Sequence, residues 1–431
     1  MPKFSNLSSL QFFQIIRYGT FVLIGIGFAK LNLAQSNIAY YETFLLVSGM
    51  LSFFWVGGLI NSMLSIYPHK QDTEKQILLF NTFLTLVLCS ALSATLLYVF
   101  SNNLLAFLDR SESGNLIQLS IIYILFTCPT FISEYILYLN GKKNAIIYYA
   151  LSVSVVTLLA ALVPVALGYS LQYSIYLLIL VAVVKFVIAL LILRKYALFK
   201  ADWSLILQNI HLATPLILTL FISGSSEYID GLLVKSKFSD SQFTIYRYGA
   251  KELPILLLVA NTFSTAMIPV IATNLNTGLA DLKSKSARLM HIFFPISMVL
   301  MLFSSFIFQY VFSVSFLASA AIFNVYLLLA IPRLVFPQTI LTSLQKSKYL
   351  LYSSIIEIVV NVSLSIYLAS KIGIVGIALG TLIASCLDKL ILISVNYYVV
   401  GIKPSSYIKL IPLLAYSFLI LLVFGITLCY L

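Results

Sequence analysis

Residues 173–193 read "YSIYLLILVAVVKFVIALLIL", a run of 21 positions with a single charge, Lys185. A helix rises about 1.5 Å per residue and a hydrocarbon core is about 30 Å thick, so a run of about twenty apolar residues is the length of one membrane crossing. The next ten positions, "RKYALFKADW" (194–203), carry Arg194, Lys195, Lys200 and Asp202. A greasy span that ends in a short basic connection sets the pattern for the rest of the chain.

Working outward, the same pattern recurs and predicts thirteen spans: 12–31, 42–67, 76–100, 116–139, 145–168, 173–193, 207–234, 243–273, 287–309, 313–341, 350–370, 374–399 and 407–430. With 61 % hydrophobic and only 9 % charged residues, no soluble domain of useful size remains, and the chain is an all-α integral membrane protein. A single lysine before the first span and no small-residue cleavage site make 12–31 a retained helix. Cys89, Cys128, Cys386 and Cys429 fall in apolar runs without ligand spacing and are small core residues.

The formal charge of +12 invites a nucleic-acid reading, which the distribution of the cations removes. If the amino terminus is cytoplasmic, fifteen loop cations fall on that side, including Lys70, Lys75, Lys142, Lys143, Arg194, Lys195, Lys283, Lys285 and Arg288, against five opposite: Lys30, Arg110, Lys235, Lys237 and Lys371. That bias is the positive-inside rule, so the charge encodes orientation. Six spans precede the basic connection, and the next six follow it ahead of the thirteenth. This predicts parallel six-helix bundles over 1–200 and 201–400, with 401–431 as an additional transmembrane helix.

All connections are short, and the phosphate-loop, H-E-x-x-H and G-x-S-x-G patterns are missing, which argues against an enzyme. His69, His211 and His291 lie near helix ends and suit interfacial packing better than catalysis. No metal or cofactor site is expected, so net movement of a cargo requires a proton or sodium gradient, or downstream consumption.

Six cations remain inside spans: Arg17, Lys185, Arg247, Lys251, Arg333 and Lys389. Three of the six arginines are among them, against three of twenty lysines. A charge at mid-bilayer costs about 2.5–3.5 kcal/mol on insertion scales, so such groups face a partner or a wet cavity. Arginine's planar fork suits phosphate and carboxylate. Arg247 and Lys251, spaced i and i+4 in a continuous helix, would share a face and meet an anionic group, with Glu252 the one acid beside them. Lys185 and Lys389 are assigned to pairing or packing, the latter with Asp388.

Glu227 and Asp230, at i and i+3, would share a face. They suit either a proton or sodium site, through mutual repulsion of their carboxylates, or salt bridges to Arg247. Glu42 is placed at the outer mouth of the second span, as an ion-coupling candidate or a cap on a helix start. Pro215, Pro254, Pro332 and Pro337 mark kinks, the last two bracketing Arg333.

The stretches "IAYYETFLLVSGMLSFFWVGGLINSMLSIYP" (38–68), "FTIYRYGAKELP" (243–254) and "IGIVGIALGTLIASCLDKLIL" (372–392) resemble the second, eighth and twelfth helices of polysaccharide flippases. These are the O-antigen and capsule repeat-unit translocases of the MOP superfamily, which also holds the MATE drug exporters and lipid II flippases. The resemblance covers about the first 400 residues and implies a MATE-like two-bundle transporter of 12 core helices, plus one extra C-terminal helix here. It implies alternating access and an undecaprenyl-diphosphate-linked oligosaccharide as cargo in the bacterial inner membrane. Arg17, Arg247, Lys251 and Arg333 would then meet the diphosphate, and Tyr246 and Tyr248 the sugars. A polysaccharide polymerase and a chain-length regulator are implied as partners. A cation-coupled exporter of drugs or metabolites on the same fold is the alternative, since seven acids also lie in or beside spans.

Overall fold

The computed structural model describes residues 6–108, 114–251, 254–346 and 348–428. Lys3, Arg110, Glu252 and Cys429 lie outside the described residues. Helices and turns account for the rest, with no strand among the described residues.

The first elements are α1 (Asn6–Lys30), α2 (Gln35–Met50), α3 (Phe53–Ile66) and α4 (Asp72–Val99). Next, α5 (Gly114–Thr127) passes through a tight 3-10 turn, Cys128–Ile132, into α6 (Ser133–Leu139). Then follow α7 (Lys143–Ala166), α8 (Leu171–Tyr196) and α9 (Trp203–Lys237). The remainder holds α10 (Asp240–Gly249), α11 (Pro254–Thr273), α12 (Leu275–Leu302), α13 (Ser319–Leu327), α14 (Ala330–Arg333) and α15 (Pro337–Ser343). The chain closes with α16 (Lys348–Ile372), α17 (Ile374–Val395) and α18 (Leu410–Leu428). Among the described residues, ten helices are long and apolar enough to cross a bilayer, or twelve spans if each of two bent pairs counts as one.

Three expected spans differ in form. The second begins at Gln35 and bends by 44° between α2 and α3, so Glu42 lies two turns inside α2, 1 % exposed and away from the helix start. The helix starts early because Ala34 takes up an extended backbone and the polar "QSN" supplies its first turn. The eighth is broken: α10 ends at Gly249, Lys251 is non-helical, and α11 starts at Pro254, whose missing N–H costs nothing at a helix start. The ninth starts at Leu275, where the Asn274 side chain accepts a hydrogen bond from Thr277 N and the basic segment of Lys283, Lys285 and Arg288 continues the helix. By contrast, the kink at Arg333 is present. Phe336 precedes Pro337 and is driven off the helical region, and the two arms of Ser319–Ser343 meet at 44°.

By internal contacts the chain divides into two compact units, Met1–Tyr228 and Ile229–Leu431, and the division falls inside α9. In the first unit α1 packs on α7, α7 on α8, and α5 on α2, α4 and α8. The basic connection belongs to this unit and is held down. Asn81 of α4 donates to the carbonyl of Lys200 at 3.0 Å and accepts from the amide of Asp202 at 3.0 Å, while Leu198 N donates to Gln76 O at 3.3 Å.

In the second unit α16 and α17 form the most intimate pair, joined at Gly373, whose φ of +67° a side chain would strain. The small-residue run of α17 serves this contact. A Cβ on Gly376 would come to 2.4 Å from the backbone of Leu368, and one on Gly380 to 2.5 Å from Ser365 Oγ. Gly249 does the same for α10: a Cβ there would meet the carbonyl of Ser319 at 2.6 Å, so glycine lets α10 lie against α13. The helix α18 packs on α12, where Tyr416 stacks on Phe294 at 5.2 Å and meets His291 Nδ1 at 2.9 Å.

Candidate functional site

The first unit holds a partly open cavity of about 80 Å³ between α1, the α5–α6 segment, α7 and α8. The helix α1 presents Phe13, Arg17 and Thr20 to it, at i, i+4 and i+7 on one face. Phe13 stacks on Tyr149 of α7 at 5.8 Å, and Thr20 Oγ1 shares a 2.5 Å hydrogen bond with Ser154 Oγ. Arg17 is thereby fixed between two α1–α7 contacts.

Pro129 starts the 3-10 turn before α6, and this turn carries Phe131 and sets Glu134 at the cavity. Arg17 Nη1 approaches Glu134 Oε1 at 3.4 Å; the Arg17 side chain is 40 % exposed and that of Glu134 only 4 %. Phe131 carries both cations of the cavity on its ring, with Arg17 Cζ 5.1 Å and Lys185 Nζ 5.7 Å from its centroid. The lone charge of the run 173–193 therefore packs on the Phe131 ring at the cavity wall. Two basic groups thus face one carboxylate, among aromatic rings and the hydroxyls of Thr127, Thr130, Tyr149 and Thr157.

The expected residues of the second unit distribute differently. Arg247 occupies the last turn of α10, where a cation complements the helix dipole. Lys251 lies beyond the helix end, its ammonium 4.3 Å from the Tyr248 ring centroid, so the expected helical i, i+4 relation does not form. Tyr246 and Tyr248 are 2 % and 1 % exposed. Tyr246 Oη bonds Tyr326 Oη at 2.8 Å, and Tyr248 stacks on Phe316 at 4.6 Å, so both are core side chains in this conformation. Their alternation with Arg247 suggests a polar helix face, but burial of the α10–α13 contact decides it.

Glu227 and Asp230 do not share an environment: Glu227 is exposed and Asp230 fully buried. Asp230 Oδ2 accepts from Thr381 Oγ1 at 2.5 Å, and Thr381 accepts from Asn361 Nδ2 at 3.1 Å, a relay across α9, α16 and α17. A second polar cluster holds Glu357, bonded to Ser385 at 3.1 Å, and Asp388, bonded to Ser353 at 2.5 Å. Lys389 pairs with Asp388 at 3.1 Å, as expected, and reaches Gln338 at 3.4 Å. Among the described residues no group of three or more His, Cys, Asp or Glu forms a metal-ligand cluster.

The apolar helices of the chain, ten to twelve of them among the described residues long enough to cross a bilayer, define a multi-pass, all-helical membrane protein. Its fold is similar to that of the lipid II flippase MurJ in an inward closed conformation, at TM-score 0.70 and 19 % identity, over 97 % of this chain and 92 % of that one. It is also similar to the Vibrio cholerae MATE transporter VcmN in its bent form, at TM-score 0.57 and 14 % identity over 91 % and 98 % of the two chains. A MOP superfamily transporter from Pyrococcus furiosus matches at TM-score 0.54 and 12 % identity, over 90 % and 91 %. The comparison with curated proteins found no match. The sequence profile of the polysaccharide biosynthesis protein family matches residues 42–321, well over half of the chain, and the chain belongs to that family.

Proposed function

We propose that the chain is a flippase that moves an undecaprenyl-diphosphate-linked oligosaccharide repeat unit from the cytoplasmic to the outer leaflet of the bacterial inner membrane, by alternating access and with its amino terminus cytoplasmic. One observation carries this reading: the interior cavity of the first unit sets Arg17 and Lys185 against aromatic and hydroxyl walls. The Arg17 guanidinium can hold two oxygens of a phosphate, and the faces of Phe13, Phe131 and Tyr149 suit sugar rings.

Family membership supports a glycan cargo, and likeness in fold to a lipid II flippase supports a lipid-linked one. Arg247, Lys251 and Arg333 are the further anion contacts in this scheme, with Tyr246 and Tyr248 supporting them by packing. The buried Asp230, with Thr381 and Asn361, is the first choice for a coupling proton or sodium ion, ahead of Glu227 and Glu42. Six-helix bundles over 1–200 and 201–400, with 401–431 added, are the organisation we assign. A polymerase and a chain-length regulator would consume the flipped product.

The test is translocation of a short undecaprenyl-diphosphate glycan across reconstituted vesicles. Wild type transports, and folded Arg17→Ala and Arg247→Ala variants lose at least about tenfold in rate, which corresponds to ~1.4 kcal/mol. Glu134 beside the cavity favours a second reading, a cation-coupled exporter. Gradient-driven movement of a small organic cation with no transport of the lipid-linked glycan would install it instead.

A further inference from the structure

Residues 197–202 join two helices that are both long and apolar enough to cross a bilayer, over Leu171–Tyr196 and Trp203–Ile222. A connection this short between two crossings has to lie at headgroup depth, whichever side of the membrane it is on. Apolar and basic groups stand exposed there side by side. Leu198, Phe199 and Trp203 are 42 %, 57 % and 67 % exposed, and Arg194, Lys195 and Lys200 are exposed among them. The chain cannot fold the rings away, because bonds with Asn81 and Gln76 hold the backbone at Leu198, Lys200 and Asp202.

The acids close to this segment already have local tasks. Asp202 Oδ1 accepts from the amides of Ser204 and Leu205, at 3.0 and 3.2 Å, and so caps α9. At the start of α4, Asp72 pairs with Lys75 at 3.0 Å and Glu74 accepts from the Gln71 amide at 3.4 Å. Among the described residues no acid lies within ion-pair distance of Arg194, Lys195 or Lys200; Lys195 rests on the Tyr196 ring at 5.5 Å. Orientation in the membrane asks only for the charge of these residues. It does not ask for exposed rings on a backbone that is tied down.

We infer that the segment 194–203 binds the headgroups of anionic phospholipids. Arg194, Lys195 and Lys200 meet the phosphates, Arg194 through its planar fork, and Leu198, Phe199 and Trp203 enter the boundary between headgroups and acyl chains. Indole and phenyl rings are suited to that depth, where one side is apolar and the other wet. A soluble acidic partner would satisfy the charges but has no equal use for the three apolar side chains. Lipid bound here would fix the depth at which α8 ends and α9 begins. The inference rests neither on the flippase reading nor on the cavity of the first unit.

Trp203 reports on the site directly. The chain has two tryptophans, and the other, Trp55, is 6 % exposed, with its indole N–H donating to the Leu51 carbonyl at 2.6 Å. The full chain is reconstituted in vesicles of four parts phosphatidylcholine to one part phosphatidylglycerol, and Trp203 emission is taken as wild type minus Trp203→Phe. Bromine on an acyl chain quenches a nearby indole, so brominated phosphatidylglycerol is compared with brominated phosphatidylcholine at equal mole fraction. In wild type the brominated phosphatidylglycerol quenches at least about twofold more strongly. The excess disappears when Arg194→Gln, Lys195→Gln and Lys200→Gln are combined, is retained in Arg194→Lys, and shrinks at high salt. Neutralising Lys283 and Lys285 of α12 leaves it unchanged. Equal quenching in wild type overturns the proposal, even if a variant fails to fold, and leaves the basic face to an acidic soluble partner. An excess that persists in the triple variant overturns it as well. So does an excess abolished by an undecaprenyl-diphosphate glycan at a mole fraction far below that of phosphatidylglycerol, which would assign the segment to a diphosphate cargo.

Discussion

Arg17 and Glu134 meet at 3.4 Å across α1 and α6, with the acid almost fully enclosed and the arginine 40 % exposed. The pair is asymmetric. Losing the arginine leaves the enclosed carboxylate with Lys185 as the one remaining cation of its cavity, whereas losing the acid leaves a guanidinium that can still find water and the Phe131 ring.

Arg17→Met is therefore expected to lower the unfolding midpoint more than Glu134→Gln. An uncompensated buried charge costs about 3–5 kcal/mol, a figure to be reduced here because the arginine is already partly solvated. The double variant should recover part of the loss, giving a coupling on the order of 1 kcal/mol in a double-mutant cycle. Additive losses would show that the two side chains do not interact in solution.

Gly249 and Gly19 provide a matched comparison. Ala at 249 has to displace the Ser319 carbonyl or α10 itself, and overpacking of this kind costs about 1–3 kcal/mol. Around Gly19, within α1, nothing lies within 4 Å of an added Cβ, so Ala there should stabilise by up to ~1 kcal/mol through helix propensity. Thermal midpoints moving in opposite directions are the expected outcome.

The hydroxyls of Tyr246 and Tyr326 share one buried hydrogen bond of 2.8 Å. Tyr246→Phe and Tyr326→Phe should each cost about 1 kcal/mol, and the double variant no more than the worse single one. Glycan binding, read by the concentration dependence of transport, should be unchanged in Tyr246→Phe. A stable Tyr246→Phe that binds cargo poorly would return this tyrosine to the sugar site.

Thr381→Val keeps the side-chain shape but withdraws the hydroxyl that donates to buried Asp230. A stability loss of about 1–3 kcal/mol is expected from the weakened satisfaction of the carboxylate. Transport should lose its response to an imposed sodium or pH gradient, with Asp230→Asn behaving alike. Gradient responses equal to wild type in both variants would exclude Asp230 from coupling.

The span pattern and the class of protein were readable because bilayer thickness imposes one length on every crossing, and α8 matches the run 173–193 to within three residues at either end. Side-chain environments were less readable. The motif "YRYGAKELP" has the composition of a charged patch on a helix, yet Gly249 ends α10 and the chain beyond it leaves the helical path, so Arg247 and Lys251 part company. Glu42 was misplaced because its helix begins with polar residues that resemble a loop. Lys185 was assigned to pairing or packing, and its packing partner is the Phe131 ring. Its openness to a cavity depends on Phe131 and the turn at Pro129, more than fifty positions earlier and on other helices. A solitary lysine in a long apolar run was the visible signal.

The connection 197–203 looks, by composition, like an ideal place to cut or extend the chain. Its bonds to Asn81 and Gln76 make it a bad one. Splitting the gene at 200/201 for complementation, or inserting a reporter there, would remove backbone partners from α4 and loosen the contact of Phe199 with Phe80 at 4.9 Å. In engineering terms this segment is a seam of the first unit, and a fusion or split site is better sought beside Gly168, in the turn between α7 and α8, with the glycine itself kept for its φ of +83°.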